Sequence, residues 1–280
     1  MNILVVGLGL IGGSICKALS DKTTHALWGY DRDKNVLKQA LDFGCISSAV
    51  SENEFSNADM VIVCLHPVAS RSFMETNIPK FKSNCIVFDV CGIKGQMVSD
   101  ITDLALQYNV HYIGTHPMAG KEHSGFEFSD KDLFNGANFI ITPIDKTNSN
   151  ALEIVITLAE QIGFGQIIKT DPFEHDNIIA YTSQLAHIVS SAYVKSPTLE
   201  KEKGFSGGSF QDMTRIATLN EDMWTNLFLL NRVSLIFEID TLTNNLTRYR
   251  DAISGNDSDK LRELLRDSRI LNENNSQKTL

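Results

Sequence analysis

The sequence predicts an α/β chain: a mainly parallel sheet covered by helices, followed by an all-α part. Three observations carry this. Short apolar, β-branched runs alternate with amphipathic stretches as far as Ile167, and after Thr170 the strand-like runs stop. A glycine-rich turn, Gly7-Leu8-Gly9-Leu10-Ile11-Gly12, separates the first apolar run from the first helical stretch. Alternation of this kind buries both faces of a sheet and forces parallel crossovers.

In chain order the strand candidates are Ile3–Val6, Ala26–Tyr30, Met60–Cys64, Ile86–Asp89, Tyr112–Thr115, Phe139–Thr142 and Gly165–Ile168. Between them the 3.6-residue period predicts helices over Gly12–Leu19, Lys34–Phe43, Gln96–Tyr108 and Ala151–Ile162. A domain boundary is expected at 170/171, with 1–170 forming the sheet domain and 171–280 a helical one. Phe173–Val194 reads as one helix and Glu221 to about Arg248 as another. The second carries Trp224, Leu227, Val233, Ile236, Phe237 and Leu242 on nearly every side. Such a helix needs burial all round, and a small helical domain has too little core to supply it. A two-fold homodimer is the simplest way to cover it. The polar tail Asn272–Leu280 is expected to fray.

Composition narrows the function. A net charge of -9 without a basic stripe argues against nucleic acid. Five cysteines with no CxxC pair read as reduced thiols, which argues against a disulfide frame or zinc and for the cytoplasm. No run of about eighteen apolar residues occurs, so a membrane span is not expected.

The glycine turn has the order strand, glycines, helix, second strand. Gly7 allows the tight turn, Gly9 lets backbone approach a pyrophosphate, and Gly12 lets helix pack on strand. The amides of Leu10 and Ile11 at the helix start meet the phosphates with a positive dipole end. The second strand ends at Asp31, about twenty residues beyond the last glycine, where an acid binds the adenosine ribose hydroxyls. This is a Rossmann-type dinucleotide site. Asp31 repels a 2′-phosphate and so favours NAD over NADP, although Arg32 softens that preference.

Ligands in such folds lie beyond the carboxyl ends of the strands. Three exits are informative: Cys64-Leu65-His66-Pro67-Val68, where Pro67 borders the cofactor; Asp89-Val90-Cys91-Gly92-Ile93-Lys94; and Thr115-His116-Pro117-Met118-Ala119-Gly120-Lys121-Glu122-His123-Ser124-Gly125. His116, at a strand end before a proline, is the acid–base candidate. His25, His111, His123 and His175 are read as structural histidines. In the helical part, Gly208, Gln211, Asp212 and Arg215 lie in Gly207-Gly208-Ser209-Phe210-Gln211-Asp212-Met213-Thr214-Arg215. A helix beginning near Ser209 puts Gln211, Asp212 and Arg215 on one face, where Arg215 can grip a carboxylate. Ser183, Gln184 and His187 share another helical face.

Taken together, GLGLIGGS, the Tyr30-Asp31 strand end, DVCGIKG, THPMAGKEHSG, TSQLAH and GGSFQDMTRIA followed by Met223-Trp224 resemble the prephenate dehydrogenase family over almost the whole chain. The resemblance implies NAD-dependent oxidative decarboxylation of a cyclohexadienol, with His116 accepting the hydroxyl proton and Arg215 binding the ring carboxylate. It also implies that Glu122 joins an ionic network at the substrate entrance, that Trp224 lies near the site, and that His187 and Gly208 lie near the substrate side chain. Prephenate is the expected substrate.

This chain departs from the family pattern at three positions. Gly92 stands where many members have a serine whose hydroxyl touches the histidine and the nicotinamide. A water, an amide or a residue such as Ser124 then has to substitute. Gln211 and Gln184 stand where some members have lysine and histidine. Losing the lysine removes a repulsion toward ammonium and raises arogenate as an alternative substrate. About thirty residues follow the long helix, too few for a regulatory domain. A β-hydroxyacid dehydrogenase or a non-enzymatic NAD sensor would leave the His116 and Arg215 motifs unexplained.

Overall fold

The computed structural model describes residues 1–277, which divide into two compact units. Met1–Ile179 with Thr218–Asn231 forms the first, and Ala180–Ala217 with the chain from Arg232 forms the second.

Eight strands build the first unit: β1 (Asn2–Val6), β2 (Ala26–Tyr30), β3 (Ser48–Ala49), β4 (Met60–Val63), β5 (Ile86–Asp89), β6 (His111–Pro117), β7 (Asn138–Thr142) and β8 (Gln166–Lys169). They lie in the order β3-β2-β1-β4-β5-β6-β7-β8. The ladders are parallel except β6–β7, which is antiparallel and sets His116 opposite Ile140. The order reverses between β1 and β4, the switch point at which such sheets open a crevice. All seven predicted strands form. Ser48–Ala49, too short to show a period, was not among them.

As far as Ile179 the helices of this unit are α1 (Leu10–Lys22), α2 (Lys34–Phe43), α3 (Pro67–Asn77), α4 (Gly95–Gln107), α5 (Ser149–Ile162) and α6 (Pro172–Ile179). Residues of β1 alternate between two cores. Ile3 and Val5 pack with Ile15 and Leu19 of α1 and Val155 and Leu158 of α5. Leu4 and Val6 pack with Met74 of α3 and Val98 and Ile101 of α4. Burial on both faces explains why β1 is apolar from Ile3 to Val6, and each such side chain contributes about 1.5–3 kcal/mol. Local chemistry sets the helix ends. Asp33 caps α2 through the amide of Asn35, and Asn148 caps α5 through that of Ala151. Gly44 and Gly163, both left-handed, close the same two helices.

The helical part differs from its prediction in three places. The single helix expected over Phe173–Val194 is interrupted by a π-helical turn, Ala180–Leu185, which separates α6 from α7 (Ala186–Tyr193). The helix expected from Glu221 breaks at Asn231 into α9 (Glu221–Leu230) and α10 (Arg232–Ser254). Buried Asn231 ends α9 by donating its side-chain amide to the Asp176 carbonyl at 2.8 Å, a tie within the first unit. That tie and the packing of α6 on α4 carry the first unit past residue 170 and bring α9 into it.

The third difference is the tail. Asn272–Gln277 continues α11 (Ser258–Gln277) rather than fraying, and 278–280 lie outside the described residues. Charge pairs such as Arg269–Glu273 support this polar helix, and the Tyr249 hydroxyl ties it to α10 through Ser268 at 2.9 Å. No described helix is long and apolar enough to cross a membrane.

Candidate active site

The glycine turn behaves as its spacing implies. Gly7 has a φ of +84°, and a Cβ there would lie 2.6 Å from the Cys64 carbonyl oxygen. A Cβ on Gly12 would lie 1.9 Å from the Gly7 oxygen, so α1 packs this closely only with glycine. Gly9, by contrast, faces open space: a Cβ there would meet nothing within 4 Å. Gly9 also supplies no side-chain cap to α1, leaving the first-turn amides of Leu10 and Ile11 for an outside acceptor. An open backbone at the switch point, ahead of an uncapped helix, fits the pyrophosphate of a dinucleotide.

Asp31 stands at the end of β2. One carboxylate oxygen accepts the Leu8 amide at 2.8 Å and the other the Asp33 amide at 2.9 Å. It therefore braces the glycine turn, and each oxygen retains a lone pair for a ribose hydroxyl. Pro67 is the buried first residue of α3, beyond the end of β4.

At the end of β6, His116 Nδ1 lies 2.9 Å from His175 Nε2, and His175 Nδ1 lies 2.7 Å from Asp176 Oδ1. His175 is only 1% exposed. Asp176 is fixed in turn by the amides of Lys94 and Gly95, each 2.8 Å from one of its oxygens. A Cβ on Gly95 would lie 2.8 Å from Asp176 Oδ2, so glycine is needed for that approach. The far edge of the His116 ring faces Gly92, where a Cβ would sit 3.6 Å from Nε2, at ordinary contact distance. Desolvation, then the neighbouring His175 and Lys94, hold His116 well below the usual imidazole range. His116 is therefore neutral at pH 7, the form that accepts a proton.

The turn carrying Gly92 is anchored from beneath. Asp89 and Lys94, both fully buried, form an ion pair. Asp89 also accepts the Tyr112 hydroxyl at 2.7 Å and the Cys91 amide at 2.9 Å, while Thr115 donates to its carbonyl. Burial beside Asp89 pushes the Tyr112 phenol up and keeps it a donor.

In the second unit, His187 on α7 has its Nδ1 2.8 Å from the Ser183 carbonyl oxygen in the π-helical turn. A carbonyl only accepts, so Nδ1 carries the proton and Nε2 is the acceptor nitrogen. Burial and, to a smaller extent, Arg215 lower its pKa. Gln184 is buried rather than on a solvated face. Gly208 opens α8 (Gly208–Thr214), Gln211 lies within it, and Arg215 follows its last turn. Tyr193 and Phe210 pack α8 against α7 with ring centroids 6.1 Å apart.

Three of the remaining candidates stay near the surface. Glu122 lies in the exposed loop 118–125, Ser124 with it, and half-buried Trp224 packs on Phe228 at 5.3 Å in α9. Among the described residues, no hydrogen bond joins Ser124 to His116. His175, expected to be a structural histidine, instead touches His116, the acid–base candidate, directly. The signal within the sequence is the His175-Asp176 dipeptide in the first turns of a helix. Lys94 and Asp89 lie within the DVCGIKG segment, yet their pairing needs the folded turn. His123 stacks on Phe128 at 5.0 Å, and His111 lies in the β6 ladder with Ile86, as structural histidines do. The five cysteines are free thiols, and burial pushes Cys85 and Cys91 up to about 12.

An uncapped glycine turn, a ribose-type aspartate and a neutral histidine at the carboxyl end of β6 define a dinucleotide-dependent dehydrogenase. The nucleotide-binding domain of prephenate dehydrogenase matches residues 15–168, and the dimerization domain of prephenate dehydrogenase matches 171–267. The chain belongs to the prephenate dehydrogenase family.

It is 28% identical to a cyclohexadienyl dehydrogenase of Zymomonas mobilis, over 95% of this chain and 93% of that one. A prephenate dehydrogenase of Bacillus subtilis is 30% identical, over 93% of this chain and 72% of its own. The crystal structure of prephenate dehydrogenase from A. aeolicus, in complex with hydroxyphenyl propionate and NAD+, superposes with a TM-score of 0.87 at 28% identity, covering 98% of each chain.

Proposed function

We infer that this chain oxidatively decarboxylates prephenate with NAD, yielding 4-hydroxyphenylpyruvate, CO2 and NADH in tyrosine biosynthesis. The observation that carries the reading is the placement of His116: neutral, at the carboxyl end of β6, with Nε2 facing Gly92 on the neighbouring turn. NAD, held by Gly7, Gly9, Leu10, Ile11, Gly12 and Asp31 and bordered by Pro67 and Gly92, supplies the two-electron acceptor.

The chain's own task is to hold one substrate and manage one proton. His116 Nε2 takes the proton of the ring hydroxyl as the carbinol C–H bond breaks. The ring carboxylate leaves as CO2, and its bonding pair completes the aromatic ring. The product is a phenol, so the proton returns to its oxygen and none is released overall. Arg215 binds the ring carboxylate bidentately. Glu122 joins an ionic network at the substrate entrance, and His187, Gly208, Gln211 and Trp224 serve the side-chain end of the substrate. Aromatisation supplies driving force, so orientation is the main contribution left to the protein.

Arogenate is the second reading. Gln211 and Gln184 are uncharged, and a lowered pKa keeps His187 neutral at pH 7, so an ammonium at the side-chain end meets less repulsion. The active species is a cytoplasmic homodimer through α10, whose Val233, Ile236 and Phe237 are 77%, 55% and 67% exposed in the single chain.

Purified protein with NAD and either prephenate or arogenate is expected to form NADH. Turnover of neither substrate overturns the assignment. His116→Asn is expected to lower kcat by about 10²–10⁴ with KM within a few-fold, as loss of a proton acceptor does.

A further inference from the structure

The His116–His175–Asp176 chain has a direction. Asp176 Oδ1 already accepts the Lys94 amide, and Oδ2 the Gly95 amide. A carboxylate engaged in this way faces His175 Nδ1 as an acceptor, so Nδ1 of His175 carries the proton. His175 Nε2 is then a lone pair, and the group 2.9 Å away, His116 Nδ1, must donate to it. The reverse sense needs both His175 nitrogens protonated, which places a cation on a side chain that is 1% exposed. With Nδ1–H committed, the unprotonated nitrogen of His116 is Nε2, the one facing Gly92.

We propose that His175 is a positioning residue that, anchored by Asp176, fixes His116 in the Nδ1–H tautomer and so presents Nε2 as the basic nitrogen. The proposal rests on His116 being the proton acceptor of the reaction above. It also explains how this chain works with glycine at position 92: the imidazole is oriented from its Nδ1 side, so no hydroxyl is needed beside Nε2. The charged and titratable groups around His116 are His175 and Asp176 on α6, Lys94 on the turn before α4, Asp89 at the end of β5, and Tyr112 on β6 itself. The Asp89–Lys94 pair is internally neutral. The amides of that same turn hold Asp176, so hydrogen bonds tie the relay to the Gly92 turn.

The first test is the ¹⁵N spectrum of the histidine rings in full-length protein without substrate, with His116 assigned by its loss in His116→Asn. Wild-type protein is expected to show His116 as the Nδ1–H tautomer, and a dominant Nε2–H tautomer overturns the proposal. His175→Phe keeps a ring of similar size but removes the acceptor. The Nε2–H form is then expected to gain population. The value of kcat should fall about 10- to 100-fold, a share of what acid–base catalysis contributes, with KM for NAD and prephenate within about threefold. His175→Gln, which restores an acceptor, should recover part of kcat. An unchanged kcat in His175→Phe, or equal losses in the Phe and Gln variants, also overturns it. If His175→Phe does not fold, the wild-type spectrum decides alone. That spectrum needs no turnover, so a failed tautomer assignment and a failed substrate assignment are separate results.

Discussion

Replacing Lys94 by Met isolates the energetics beneath the site. Lys94 and Asp89 are each fully buried, and methionine approximates the lysine stem without its charge. In the variant Asp89 keeps the Tyr112 hydroxyl and the Cys91 amide but loses its cation. Breaking a buried pair from one side costs about 3–5 kcal/mol, because the remaining charge is stranded. At about 2–4 °C per kcal/mol, the melting temperature should fall by about 6–20 °C.

The loss carries a pH signature. Burial disfavours an unpaired negative charge, so the penalty of the variant is relieved in acid and grows as pH rises. Calorimetric melts of wild type and variant at pH 5, 6.5 and 8 should show a gap that widens with pH. Asp89→Asn in the same background removes the stranded charge while keeping a carbonyl for Tyr112, and should recover about 1–3 kcal/mol at pH 8. A gap below about 3 °C at pH 8, or one independent of pH, would refute the assignment of Lys94 as the counter-charge of Asp89.

Asp31→Asn should raise KM for NAD about 10- to 100-fold, the worth of a charge-assisted hydrogen bond or two, and leave KM for NADP little changed. Equal losses for both cofactors in steady-state assays would mean that Asp31 only braces Leu8 and Asp33. Arg215→Ala should raise KM for prephenate by about 10- to 100-fold with a smaller change in kcat, and a pure kcat loss contradicts an anion-binding role. Burial lowers the pKa of both His116 and His187 in the folded chain. As pH falls below about 6.5 the unfolded chain takes up protons that the folded chain refuses. Stability in urea titrations should therefore drop between pH 7 and 5.5, less steeply in His116→Asn, while kcat persists below pH 6.5 until His116 itself protonates.

What could be read from the sequence was local in origin. The apolar run of β1, the Gly7-Gly9-Gly12 spacing and Asp31 at the end of β2 each depend on residues within a turn or two, so pattern alone placed them. His116 was found because a strand end before a proline is itself a local feature. The break at Asn231 was hidden because its cause, the Asp176 carbonyl, is far away in the chain. Without that tie the apolar period runs through unbroken. The last residues of α11, Asn272–Gln277, carry no apolar side chain, so the sequence predicts a frayed tail there. The helix is held by buried Leu264 nearer its start, by charge pairs and by Tyr249 of α10, so it continues through the polar end.

His175 marks the deeper limit. A histidine flanked by an aspartate is common, and nothing in the two residues distinguishes a relay from a structural pair. The distinction is made by His116, 59 residues upstream, and by two backbone amides at Lys94 and Gly95. Those amides explain the two glycines of DVCGIKG in different ways. Gly95 is glycine because Asp176 approaches to where its Cβ would stand, whereas Gly92 has room for a side chain and carries none. Gly95 therefore serves the close approach of Asp176, and Gly92 leaves the Nε2 edge of His116 without a side chain against it.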